Sequence, residues 1–262
     1  MCQARQLLDC MGKCRLTRLF KHFKASGRAS GLITTIRGVM QTLYSGGLLF
    51  DGDGRLLENY GVMVEDDRIV KIAPRPEFTG FAGYVVDTSG GTLLPALIDT
   101  AVHVARDGSG KAADGDAAAM TLNALQHAQA SLVGGVSVIR DLGAPNRIGQ
   151  SLGEALAQGR FMGPAVLTAG RTITATGGHG ADFGLVADHV PGLVGAVRDQ
   201  VAAQAQTVVL AASGGVTSGD TDPDITYYTA EEVQAGVSEA HRLGRPTAVM
   251  AHNSDAAKYA VQ

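Results

Sequence analysis

The stretch "ALIDTAVHV" (residues 96–104) reads as a buried strand that nonetheless carries a carboxylate and an imidazole. Side chains alternate across a strand, so Asp99, Ala101 and His103 are expected on one face. An aspartate and a histidine aimed together could hold a divalent cation or relay a proton. A zinc site, however, needs three or four ligands, and the position between these two offers only a methyl group. A lone strand histidine is more often a hydrogen-bonded core residue than a ligand, and His103 reads first as that. Further along, "TATGGHG" (174–180) places His179 in a glycine-rich turn, where the backbone can approach a ligand or close a tight loop. His252 follows another apolar run. Arg140 and Asp141 together read as a salt bridge. Tyr227 and Tyr228 read as packing beneath the following helix, with Tyr228 also a candidate contact for a substrate.

Two kinds of element must position these residues. From Met40 the pattern "TLYSGGLLFDGDG" and "GVMVEDDRIVKIAP" breaks at Gly-Gly, Asp-Gly and Asp-Asp turns, which predicts a small antiparallel β subdomain with hairpins over 40–92. After residue 92 strands alternate with helices. Strands are predicted at 93–103, 136–140, 165–169, 207–212 and 246–252. Leu122, Leu125, Ala128 and Leu132 share one face of a helix that Gly134-Gly135 would close. The segment 229–243 carries a capping box (Thr229, Glu232), the apolar stripe Val233, Val237, Ala240 and Leu243, and a stop at Gly244 and Pro246. Apolar strands alternating with helices imply an α/β fold with a parallel sheet. His103, Asp141, "ATGGHG", "SGG" and His252 all fall at predicted strand ends, where such folds do their chemistry. Five strands are too few to close an eight-stranded TIM-type barrel, so 93–262 is expected to form an incomplete one.

Composition narrows the classes. The 262 residues are 45% hydrophobic and 18% charged, which suits one large or two small globular domains. No apolar run reaches the roughly 18 residues a membrane span needs. The net charge of −3 conceals a basic leader: residues 1–39 hold eight Lys or Arg against Asp9, which is 8 − 1 = +7 and leaves −10 for the rest. That leader could form a basic amphipathic helix or remain poorly ordered, and Cys10, Cys14 and His22 lack the paired spacing of a zinc finger. All three cysteines lie there, and a cysteine-free body suits a reducing, cytoplasmic setting. Neither nucleic acid nor membrane is expected as a partner.

Six motifs in order carry a resemblance: "YSGGLLFDGDG", "LLPALIDTAVH", "GGVSVIRDLG", "GPAVLTAGRTITATGGHG", "LAASGGVTSG" and "YTAEEVQAGVSEAHRLGRP". Over about 40–262 the chain resembles the amidohydrolase superfamily, in its imidazolonepropionase-like and Xaa-Pro dipeptidase-like branch. The resemblance implies a barrel whose strand ends hold one or two divalent metals, zinc or manganese, and a small-molecule or dipeptide substrate. Metal-activated water would attack a C–N bond, with an aspartate accepting its proton.

Carried over by position, the ligand set is broken. The first-strand histidine pair falls on Ala101 and His103, the fourth-strand lysine on Val209, and the fifth-strand histidine on Met250. His252 matches a second histidine two positions on, which is not the usual ligand. The sixth and eighth strands lie beyond Gln262, so the resemblance implies a C-terminally truncated barrel without the general-base aspartate. His103 is then the one matched metal position, His179, His252 and Tyr228 are candidate substrate contacts, and no catalytic residue is assigned. The chain is expected to be inactive or strongly impaired, with an open edge at 246–252 that favours a homo-oligomer. An active hydrolase with a non-standard site and a non-catalytic binding or assembly partner are the alternatives.

Overall fold

The computed structural model describes residues 40–106, 116–216 and 221–262. The expectations for the basic leader, including Cys10, Cys14 and His22, lie outside them. The fold is mixed α/β, and the chain divides into two compact units, one ending at Ala96 and the other running from Leu97 to Gln262.

The first unit contains β1 (Gln41–Ser45), β2 (Leu48–Phe50), β3 (Leu56–Leu57), β4 (Tyr60–Glu65), β5 (Arg68–Pro74), β6 (Tyr84–Asp87) and β7 (Thr92–Leu93). These make two sheets, β5-β4-β1-β6 and β3-β2-β7. The hairpins form as read: β4 and β5 pair antiparallel across a turn where Asp66 takes a left-handed φ of 50°. A purely antiparallel sheet does not form, because β6 lies parallel to β1 and β7 parallel to β2. Leu43, Ala73 and Phe78 make the buried centre of this unit.

The second unit alternates strands and helices. Strand β8 (Leu97–Val102) leads through α1 (Ala117–Val133) to β9 (Val136–Asp141), and α2 (Ile148–Ala157) leads to β10 (Ala165–Thr168). Short strands β11 (Ile173–Thr174) and β12 (Leu185–Val186) precede α3 (His189–Ala202) and β13 (Val208–Ala211). Helix α4 (Ala230–Arg242), β14 (Thr247–Met250) and α5 (Ser254–Val261) complete it. Strands β8, β9 and β10 form one parallel sheet in that order, and β12, β11, β13 and β14 form another. Every residue of β13 is buried, as its unbroken apolar run requires.

The helices follow local signals with one exception. In α4 the Thr229 hydroxyl accepts from the Glu232 N–H while the Glu232 carboxylate accepts from the Thr229 N–H, completing the predicted capping box. Helix α1 starts on the Asp116 carboxylate, which accepts the Ala119 N–H at 2.8 Å, and ends at Gly134, followed by Gly135 at φ +90°. Met120, Ala124 and Ala128 are its buried residues, and Leu125 packs half-buried against the same cluster, so of the predicted face Ala128 and Leu125 turn inward while Leu122 is exposed. No helix among the described residues is long and apolar enough to cross a membrane.

Candidate functional site

At the end of β8 the simple alternation read from sequence fails. The β8–β9 register shifts between Asp99 and Val102, and the Asp99 carboxylate accepts the Ala101 N–H at 3.1 Å. Asp99 is thereby committed to its own bulge and stays exposed, so it does not join His103. Ala101 is exposed as well. His103, one residue past the strand, is half-buried, and its Nδ1 lies 3.1 Å from the Gly143 carbonyl oxygen. A carbonyl only accepts, so Nδ1 carries the hydrogen and Nε2 is the ring's other polar atom.

Asp141, expected in an ion pair with Arg140, serves a different purpose. Arg140 Nε donates to the Thr100 carbonyl at 2.7 Å. Asp141 is fully buried and accepts from Thr168 Oγ1 at 3.0 Å, the Val104 N–H at 3.3 Å and the Gly143 N–H at 3.4 Å. Burial pushes its pKa above the usual carboxylate range, while those three bonds and the nearby His103 ring pull the other way. Both stretches of backbone that hold His103, at Val104 and at Gly143, are therefore pinned to one carboxylate.

The glycine-rich turn after β11 places His179. Gly177 and Gly180 take left-handed φ values of +70° and +74°, which L side chains rarely adopt. His179 is buried against Gly215, where an added methyl would overlap the imidazole ring. The His252 ring stands edge-on to it, with centroids 5.7 Å apart. Burial lowers the His179 pKa first, and the charges of His252, His103 and Arg106 lower it further, partly offset by Asp182. Phe183, from the same loop, takes the His103 ring edge-on at 5.5 Å and the Arg106 guanidinium over its face at 4.4 Å. Arg106 Nη2 also reaches Asp182 at 3.4 Å.

His103, His179 and His252 therefore lie at strand ends of the second unit, with Gly215 of the "SGG" motif against His179 and with Arg106 and Phe183, which the sequence reading missed. Arg106 stands one turn beyond His103 and was legible only as a loop charge. Tyr228 is corrected to a core residue: it is 1% exposed, its hydroxyl donates to the Ala187 carbonyl at 2.7 Å, and burial raises its pKa. A ring so enclosed and a hydroxyl so committed leave nothing to offer a ligand.

Two of the positions that the resemblance marks for ligands, Val209 and Met250, share one fate. Val209 is fully buried and packs with Leu142, Ala169, Ala248 and Met250 in one apolar cluster. An isopropyl group and a soft thioether among methyls do not suit a hard divalent ion. Among the described residues, no group of three or more His, Cys, Asp or Glu side chains is arranged to hold a metal. The residues present do not fit the metal that the resemblance implies.

No protein-family model matches the chain. Ochratoxinase of Aspergillus niger is 27% identical over 247 residues, covering 80% of this chain and 50% of that protein. The chain spans about half the length of the curated relatives it matches. A crystal structure of a Xaa-Pro dipeptidase with methionine bound in its active site is 26% identical with a TM-score of 0.77, over 84% of this chain and 59% of that one. A crystal structure of an amidohydrolase is 28% identical with a TM-score of 0.75, over 85% and 59%.

Proposed function

We propose, from the premise that this chain resembles the Xaa-Pro dipeptidase-like branch of the amidohydrolase superfamily, that it is a relative whose metal-hydrolase centre has been filled with hydrocarbon. The second unit is then the first part of a (β/α) barrel, with β8, β9, β10, β13 and β14 as consecutive parallel strands and its working face at their C-terminal ends. The observation that carries the reading is the apolar cluster that takes in both Val209 and Met250. Two positions that would supply ligands from neighbouring strands instead lie in one cluster with Leu142, Ala169 and Ala248. A water held there would have no metal to lower its pKa, and His103 alone does not replace one. Hydrolysis of a C–N bond through metal-activated water is accordingly absent or strongly impaired, and the strand ends serve to bind a small molecule.

The test is the zinc and manganese content of the purified chain, with hydrolysis of Xaa-Pro dipeptides and lactam-type substrates followed with and without added metal. The expected result is substoichiometric metal and no metal-dependent turnover. Stoichiometric metal together with metal-dependent turnover overturns the reading.

A further inference from the structure

A seam runs through the second unit. Strand β10 pairs with β9, and β11 pairs with β13, but among the described residues no strand ladder joins the two sheets. The chain crosses from one sheet to the other over 169–172, where Gly170 takes a left-handed φ of +72°. Each side has a core of its own. Val104, Ile139 and Leu152 pack together in the block 97–170, and Ile173, Leu210 and Val233 in the block 171–262. Across the seam, the Gln206 N–H donates to the Thr168 carbonyl at 2.9 Å, and Gln206 Oε1 accepts the Thr168 N–H at 3.0 Å. Thr172 Oγ1 donates to the Leu142 carbonyl at 2.8 Å, and the small cluster around Val209 draws on both blocks. At the strand ends Arg106 of the first block lies 4.4 Å over the Phe183 ring of the second and reaches Asp182 at 3.4 Å. We infer that the two blocks hinge at Gly170, and that Arg106 with Phe183 and Asp182 is the clasp that holds their strand ends closed.

A hinge needs a few residues that absorb a change in φ and ψ, and glycine does so at little steric cost. Glutamines from both blocks lean on Gly170: a methyl added there would lie 3.0 Å from Gln150 Nε2 and 2.4 Å from Gln200 Oε1. Gln150 Oε1 is buried without a hydrogen-bond partner. An unpaired buried oxygen is costly, so the closed arrangement is not favoured at every point of the seam. The two halves of the clasp are each fixed to their own block. Val104, two residues before Arg106, donates its N–H to Asp141 and accepts from His127 Nδ1 at 2.9 Å. Phe183 follows the second block because the Arg171 guanidinium donates to the Phe183 and Gly184 carbonyls. The ion pair and the ring contact between the halves are individually weak, and Asp182 is half-exposed, so the clasp opens far more readily than either core. Opening parts His103 and Arg106 from Phe183 and His179 and admits a small molecule to the strand ends. This motion is independent of the proposed loss of metal chemistry.

Native-state hydrogen exchange of the full chain, read residue by residue by NMR, tests both parts. The Thr168 and Gln206 amides bridge the seam, whereas those of the β8–β9 and β13–β14 ladders lie within a block. In the wild type the two seam amides should exchange about tenfold or more faster than the ladder amides. Arg106→Gln should speed the seam amides by a further factor of about three to ten and leave the ladder amides unchanged. Arg106→Lys keeps the charge and should recover most of the protection. Gly170→Ala, strained in the closed geometry, should speed the same two amides. Seam amides that exchange no faster than the ladders overturn the hinge. Seam amides indifferent to Arg106→Gln, or a uniform acceleration of seam and ladder amides alike, overturn the clasp.

Discussion

Val209→Lys restores the residue type that the family resemblance places on the fourth strand, and it sets the ammonium into hydrocarbon. Val209 is fully buried on β13 among Leu142, Ala169, Ala248 and Met250. A lysine enclosed in this way is forced neutral, and buried lysines are known with pKa values near 5–6 against about 10.4 when free. At pH 7 the unfolded chain then keeps a proton that the folded chain must release, which costs about 4–5 kcal/mol at roughly 1.4 kcal/mol per unit. For a chain of this size that is a fall in Tm of roughly 10–20 °C. The sign follows from a folded pKa lying below the unfolded one. Destabilisation is greatest at low pH and shrinks by roughly 1.4 kcal/mol for each unit of rise toward the free-lysine value. Urea unfolding of wild type and variant at neutral pH and near pH 10 measures both quantities. Val209→Ala provides the control, since it removes only packing, costing about 1–3 kcal/mol with no pH dependence. A Val209→Lys protein as stable as wild type at pH 7, or one whose deficit ignores pH, would refute the claim that the cluster is dry and apolar.

Two further outcomes concern buried polar groups. Asp141→Ala strands the Val104 and Gly143 N–H groups and the Thr168 hydroxyl, so denaturant unfolding should show a loss of several kcal/mol, at about 1–3 for each buried orphan. Asp141→Asn keeps an acceptor, should cost far less, and should remove a pH dependence: because the folded pKa is raised, the stability Asp141 contributes is full below the unfolded carboxylate pKa and is lost as pH rises through the folded value. Tyr228→Phe leaves the Ala187 carbonyl without its phenol donor and should cost about 1–2 kcal/mol in thermal unfolding, and an unchanged Tm would refute the role given to that bond.

Much of the second unit was legible because its signals are local. The apolar run Val208–Ala211 could only be a strand buried on both faces, and Thr229 with Glu232 marked the start of α4 within four residues. What escaped the sequence depends on distance along the chain. Asp141 meets Thr168 across 27 residues and Val104 across 37, so nothing beside it in the sequence separates an internal brace from half of a surface ion pair. The bulge after Asp99 breaks the period-two pattern at the place where the opening inference relied on it. The predicted face of α1 was right at Ala128 and Leu125 but set too far round at Leu122, which is exposed while Met120 and Ala124 are buried. The pairing of β6 with β1 and of β7 with β2 is set by how the chain returns, which alternation within a strand does not encode. For the site, the ligand positions could be compared one by one, but that Val209 and Met250 fall in one apolar cluster required the fold.

That cluster has a consequence for how these positions tolerate change. Because Val209 and Met250 belong to one apolar cluster fed by adjacent strands, substitutions at the two positions are not independent. A lysine or histidine placed at one of them alone meets hydrocarbon and weakens the protein, whereas apolar side chains of similar volume are exchanged there as in any core.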